Sequence, residues 1–174
     1  TYHVYLRSFC TVGDTSVWQG PYNFCTNCGT VADYCTGFET DVALATPFCW
    51  RTYINTTSSG YIRVQNSTFN AHSGSQYVYM INSADAAATM MLIAPQVSNL
   101  SAGTHRANFW AKGDSTLIVG TMADPTNPGT FNPIDTINAA DGLTYGSYTN
   151  FKVNFDGYTG TDTYVAFMWD AANT

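Results

Sequence analysis

The chain opens on a short alternation. Tyr2, Val4 and Leu6 share one parity while His3, Tyr5 and Arg7 share the other, the period of two expected of a strand with two unlike faces. A polar turn at Gly13-Asp14-Thr15-Ser16 and a Gly20-Pro21 step follow, and a second short apolar run covers Tyr22–Cys25. Residues 2–25 therefore predict a β-hairpin with a long loop. A lone two-stranded hairpin is marginal in water, so it needs a partner sheet.

From Phe38 onward the pattern is one of many short apolar or alternating runs. Strands are predicted at Tyr61–Val64, Gln76–Ile81, Met90–Ile93, Thr104–Ala111, Ser115–Met122, Phe131–Ile137, Ser147–Phe155 and Thr163–Trp169. Gly, Pro, Asn, Asp and Ser clusters separate them. The Ala-rich stretch Ser83–Ala88 is too short to stand as a helix and runs into β-branched and apolar residues, so it is taken as a loop. No unit repeats with a period of 20–50 residues, which argues against a solenoid. Short strands with regular turns predict an all-β fold, an antiparallel β-sandwich of jelly-roll type.

Composition sharpens this picture. The 174 residues are one domain of ordinary size, or one domain and a fragment. Tyr, Phe and Trp number 12, 10 and 4, so a substantial core is available. Charged residues are only 10%, well below a typical soluble domain, and threonine is the commonest residue. Strong helix formers such as Glu, Lys and Gln are scarce while Thr, Tyr, Phe and Val abound, which again favours strands. A net charge of −6 with few Lys and Arg excludes nucleic acid as an expected partner. No apolar run is long enough to span a membrane.

Cysteines stand at positions 10, 25, 28, 35 and 49 and nowhere later. The spacing of Cys25, Cys28, Cys35 and Cys49 is compatible with four zinc thiolates. One or two disulfides in an oxidising compartment fit better, because the Thr- and Asn-rich, Lys-poor composition suits a secreted chain and a second Cys-x-x-Cys is missing. An odd cysteine is then left over.

Two resemblances extend this reading. Tyr2-His3-Val4-Tyr5-Leu6-Arg7, Gly13-Asp14-Thr15-Ser16-Val17-Trp18, Gly20-Pro21 and Phe24-Cys25-Thr26 follow the order of the last two strands of a fibronectin type III domain. From Cys35 the order of motifs resembles the MAM-like and cleaved-adhesin-type jelly rolls, as in secreted surface proteins of Bacteroidota. The motifs are Cys35-Thr36-Gly37-Phe38-Glu39, Cys49-Trp50, His72–Met80, Leu92-Ile93-Ala94-Pro95, Arg106–Gly113 with its Phe109-Trp110 step, Leu117–Pro125, Asn150–Phe155 and Tyr164–Phe167. The resemblance implies three parts: residues 1–26 as the terminal strands of a fibronectin type III domain, 27–37 as a cysteine-bearing linker, and 38–174 as a MAM-like sandwich. It also implies modules cut at both ends, with the closing strand of the sandwich falling after Thr174. It further implies a disulfide between Cys35 and Cys49. Glu39, the lone glutamate, and Asn70 become candidate ligands of a structural Ca2+, with a sheet-edge hydrogen-bonding role as the alternative for Glu39.

Catalytic patterns do not emerge. His3, His72 and His105 fall on separate strands, and neither a Gly-x-Ser-x-Gly elbow nor a His-Glu-x-x-His pair occurs. With one Glu and aspartates scattered through turns, a facing carboxylate pair for glycoside hydrolysis is not expected. Exposed aromatics are the more promising chemistry. Trp50, Tyr53, Tyr61, Tyr145, Tyr148, Tyr158 and Trp169 are candidates for stacking on sugar rings, and Tyr145 and Tyr148, in a Gly-rich loop, are the preferred ones. Trp110, between Phe109 and Ala111, is expected buried or half-buried. The expected function is a non-enzymatic adhesion or structural module of a large extracellular or cell-surface protein. Its partners would be surface glycans, proteins or copies of itself in a fibre. The alternative is a carbohydrate-binding accessory module of a secreted hydrolase or protease.

Overall fold

The computed structural model describes residues 2–11, 14–24 and 28–170. Gly13, Cys25 and Thr26 of the fibronectin-like pattern lie outside the described residues, as do Asn27 and positions 171–174. The expected hairpin forms: β1 (Tyr2–Leu6) pairs antiparallel with β4 (Gln19–Phe24), and within its long loop β2 (Phe9–Thr11) pairs with β3 (Asp14–Thr15).

The remainder is an antiparallel β-sandwich. One layer is a five-stranded sheet in the order β11-β10-β13-β8-β5. Its strands are β5 (Arg51–Asn55), β8 (Thr89–Ile93), β10 (Thr116–Met122), β11 (Phe131–Ile137) and β13 (Tyr164–Asp170). The other layer is built of two hairpin-like pairs, β6 (Gly60–Asn66) with β7 (Gln76–Asn82), and β9 (Arg106–Ala111) with β12 (Thr149–Asn154). All eight strands expected beyond Phe38 are present, and the Ser83–Ala88 stretch is a turn-rich loop. The described residues hold no helix beyond three single-turn 3₁₀ segments, and no helix long and apolar enough to cross a membrane.

β5 escaped the sequence pattern for a physical reason. Arg-Thr-Tyr-Ile-Asn carries little apolar weight and no clean alternation, because an edge strand that pairs only with β8 need not bury a full face. β8 is the opposite case. Its unbroken Met90-Met91-Leu92-Ile93 run is buried on both sides. Met90 and Leu92 meet Ile62, Val78, Met80 and Trp50 under the β6–β7 pair. Met91 and Ile93 lie on the reverse side with Met122 and Ala166, under Tyr53, Phe131, Tyr164 and Met168. A third cluster, of Val119, Phe151, Val153, Phe155 and Val165, joins the β9–β12 pair to the same inner side of the five-stranded sheet. Phe167 contributes to both inner clusters, so the two pairs share one core and turn their outer faces the same way.

Gly120 decides how β11 lies on β10. A Cβ there would collide with the Asn132 carbonyl and the Phe131 ring, and the pairing register shifts between Val119 and Gly120. Glycine thus admits the close approach that lets Phe131 cover the sheet.

Segment 28–37 is fastened to the sandwich. Val31 N–H donates to Gln96 O at 2.8 Å, and Ser98 N–H donates to Val31 O at 2.8 Å, a short parallel bridge between Val31 and Val97. This anchoring corrects the expected disulfide. Cys49 bonds to Cys28, with Cα atoms 5.3 Å apart, and Cys35 is an exposed free thiol. Between them, Tyr34 packs edge-on against Trp50 at 5.9 Å, and the Trp50 Nε1–H donates to its hydroxyl at 3.0 Å. Tyr34 thereby takes the place beside Cys49-Trp50 and leaves the following residue, Cys35, facing solvent.

Candidate binding face

The outer face of the second layer follows directly from strand alternation. In β9, Ala107, Phe109 and Ala111 turn inward while Arg106, Asn108 and Trp110 are exposed. In β12, Phe151 and Val153 are core residues, and Lys152 and Asn154 are exposed. The register sets Trp110 opposite Asn150, Asn108 opposite Lys152, and Arg106 opposite Asn154. In the neighbouring pair, Ile62 and Val64 are buried, which turns Tyr61 and Arg63 outward opposite Ile81 and Tyr79. The Arg63 guanidinium lies over the Tyr61 ring at 3.8 Å. Tyr79 meets Tyr61 at 6.0 Å and Tyr77 at 6.3 Å, both edge-on.

The two halves are joined by the loop between β6 and β7. His72 from this loop stacks on the Trp110 indole, with ring centroids 4.1 Å apart and planes 17° from parallel. Tyr148 stands edge-on to His72 at 5.3 Å, and its hydroxyl donates to the Asn70 carbonyl at 2.7 Å. Lys112 Nζ sits 4.8 Å above the Tyr148 ring. Trp110 nevertheless remains 50% exposed. The result is an indole platform, braced on one side and open to solvent.

Glu39 holds the end of that loop. Its carboxylate accepts from Gln76 N–H at 2.9 Å, from Ser75 N–H at 3.1 Å and from Ser75 Oγ–H at 2.9 Å. Gly74 has φ +67°, and the Glu39 carboxylate occupies the space a Cβ would need. These hydrogen bonds, chiefly from the Gln76 and Ser75 amides, hold the Glu39 carboxyl below the ordinary glutamate range. On the face itself, burial raises the Tyr79 hydroxyl, reinforced by the Tyr61, Tyr145 and Tyr77 phenols and by Asp114. Burial likewise raises Tyr148, with Tyr77 adding to it.

The structure thus brings three of the four residues singled out from sequence to one place. Glu39 sets the loop, Asn70 lends it a backbone carbonyl, and Tyr148 binds that carbonyl. Tyr145 is 72% exposed, in the turn before β12. Trp110, expected buried or half-buried, is half-buried: with Phe109 inward, alternation turns its neighbour toward solvent. Tyr158 is buried and Trp50 packs into the core, so neither offers a platform. His72, Trp110 and the paired Asn and Lys positions were not recognised as a set, because strand register, which sequence alone does not supply, brings them together.

Glu39 and Asn70 fit a calcium site only in part. They bring one carboxylate and one carbonyl, both engaged in hydrogen bonds within the protein, where calcium takes six to eight oxygens. Among the described residues no group of three or more His, Cys, Asp or Glu is gathered. His105 Nε2 lies 3.1 Å from the Ala32 carbonyl and its Nδ1 lies 3.4 Å from the hydroxyl of the adjacent Thr104, while His72 stacks on Trp110. A shallow concavity of about 900 Å³ lies over the loops after β12, lined by Asn132, Asp156, Tyr158 and Asp162. Asp162 there already accepts from the Thr121 hydroxyl at 2.6 Å.

Known proteins place the fold. No protein-family model matches the chain, and no curated protein does. Among solved structures the chain is similar to the K2 cleaved adhesin domain of Lys-gingipain (Kgp), with a TM-score of 0.57 at 18% identity. The match covers 76% of this chain and 86% of that one. At this identity the likeness is one of fold.

Proposed function

We propose that the chain is a non-enzymatic binding module of a larger extracellular or cell-surface protein, and that it adheres to carbohydrate through the outer face of β6, β7, β9 and β12. The half-open Trp110 indole carries this reading. Half of the indole faces solvent on a flat strand face, and a sugar ring presents the C–H surface that stacks on such a platform. Asn108, beside Trp110 on β9, and Lys152 opposite it offer hydrogen-bonding groups to hydroxyls at strand spacing. Two further features support the reading. The Cys28–Cys49 disulfide suits an oxidising compartment, and the sandwich has the fold of a cleaved adhesin domain.

The test is a glycan array probed with the wild-type chain and with Trp110→Ala. Binding to defined glycans that Trp110→Ala abolishes is the expected result. A blank array, or binding indifferent to Trp110→Ala, would leave adhesion to proteins or self-association as the better account.

A further inference from the structure

The distribution of charge deepens this reading and rests on it. The chain carries 12 acidic and 6 basic residues, yet β6, β7, β9 and β12 contain no Asp or Glu at all. Arg63, Arg106 and Lys152 lie within those strands, and Lys112 follows β9 directly. Four of the six cations of an acidic protein therefore stand on one aromatic face. Two of them, Arg63 and Lys112, lie over tyrosine rings. The acids lie at the margins: Asp114 follows Lys112, Asp156 follows Asn154 and lines a shallow concavity with Arg106, and Glu39 is engaged by Ser75 and Gln76 at the start of β7.

Random placement of six cations would scatter them among the carboxylates, where ion pairs would relieve their repulsion. Here four cations are collected on strands that themselves carry no carboxylate, with the acids at their ends, while the Trp110 indole among them stays half-exposed. We infer that the face takes an acidic glycan: sugar rings stack on Trp110 while their carboxylate or sulfate groups meet Lys152, Arg106 and Lys112. Trp110 and Arg106 lie four residues apart along β9, roughly 13 Å, so a short oligosaccharide rather than a single sugar spans the indole and the cations.

The experiment is affinity electrophoresis of the chain through gels containing polygalacturonate, alginate, hyaluronan or chondroitin sulfate. Methyl-esterified polygalacturonate, dextran and mannan serve as uncharged counterparts, and polyphosphate as a polyanion with no ring to stack. Retention by at least one acidic polysaccharide but not by the uncharged ones is expected. It should weaken roughly tenfold in the Arg106→Gln, Lys152→Gln double variant and in Trp110→Ala, and fall as NaCl rises from 50 to 300 mM. Retention by sulfated but not carboxylated members, or the reverse, would identify the anion. Retention by uncharged polysaccharides alone would overturn the inference and leave the carbohydrate reading standing. Retention by none would sink both. Equal retention by polyphosphate, unaffected by Trp110→Ala, would show general polyanion capture instead. The variants change exposed groups, so matching circular dichroism spectra and Tm values confirm that each one is folded.

Discussion

The two sides of this sandwich treat aromatic residues in opposite ways. On the reverse of the five-stranded sheet, Tyr53, Phe131, Tyr164 and Met168 lie down over Met91, Ile93, Met122 and Ala166 and seal them from water. On the outer face of the β6–β7 and β9–β12 layer, Trp110 stays open while the core beneath is complete without it. The same residue types therefore serve stability on one side and contact on the other. The difference lies in whether anything small and apolar sits underneath. Substitutions should separate the two roles cleanly.

The largest effect is expected where the sheet is sealed. Ile93 is fully buried between strands, so Ile93→Ala should cost about 3 kcal/mol in unfolding free energy. Trp110→Ala, although it removes a larger side chain, should cost no more than about 1 kcal/mol because half of that side chain is already in water. Urea denaturation of both variants checks this. Equal losses would mean that Trp110 is a structural residue, and the case for an open platform would fail.

The contrast also explains what the sequence could reveal. The apolar runs of β8, β10 and β13 announce themselves because sealed strands leave no polar positions to confuse the pattern. Trp110 and Phe109 are adjacent aromatics, and only the knowledge that Phe109 packs inward against Phe167 and Phe151 turns Trp110 outward. His72 stood out only as the start of a motif, and its stacking role was hidden, since that depends on a loop crossing from one strand pair to the other. The cysteine pairing failed for a similar reason. Cys35 and Cys28 are both within reach of Cys49 by sequence separation, and the Val31 bridge, a contact 66 residues away at Val97, decides between them.

That disulfide supplies the next prediction. It closes a loop with a sequence separation of 21, so Cys49→Ser should destabilise the chain by about 3 kcal/mol. Cys35→Ser should leave Tm unchanged, as its thiol is exposed and unpaired. Thermal melts of the two variants under non-reducing conditions decide the matter; similar losses in both would restore a Cys35–Cys49 bond.

A smaller effect on stability but a large one on binding is expected at Gly74. Its left-handed backbone, with the Glu39 carboxylate where a Cβ would go, makes Gly74→Ala cost about 1–2 kcal/mol. The strain falls two residues from His72, so the variant should also disturb the stack on Trp110. Glycan affinity should then drop further than for other variants with equal loss of stability. Affinity that merely tracks Tm would show that the loop does not position the face.

The mildest perturbation is acid, and it acts on both sides at once. Glu39, Asp85 and Asp124 all accept hydrogen bonds that favour their ionised forms, so each carboxyl lies lower in the folded chain than its ordinary value. For such groups the stabilisation is fully present above the unfolded value, about 4 for these side chains, and is lost as pH falls through the folded value. Stability should therefore decline below about pH 4 and stay flat from there to neutrality as far as these three groups are concerned. Asp85 binds the turn at Thr57 and Asp124 the turn at Thr126, whereas only Glu39 holds the loop that carries His72. The indole N–H resonance of Trp110 should consequently shift as the wild-type chain is acidified in that window. In Glu39→Gln it should be displaced already at pH 7 and move little further, because the hydrogen bonds to Ser75 and Gln76 are weakened at every pH. Identical titrations in the two proteins would mean that the loop stands without Glu39, and that the open face is shaped by its strands alone.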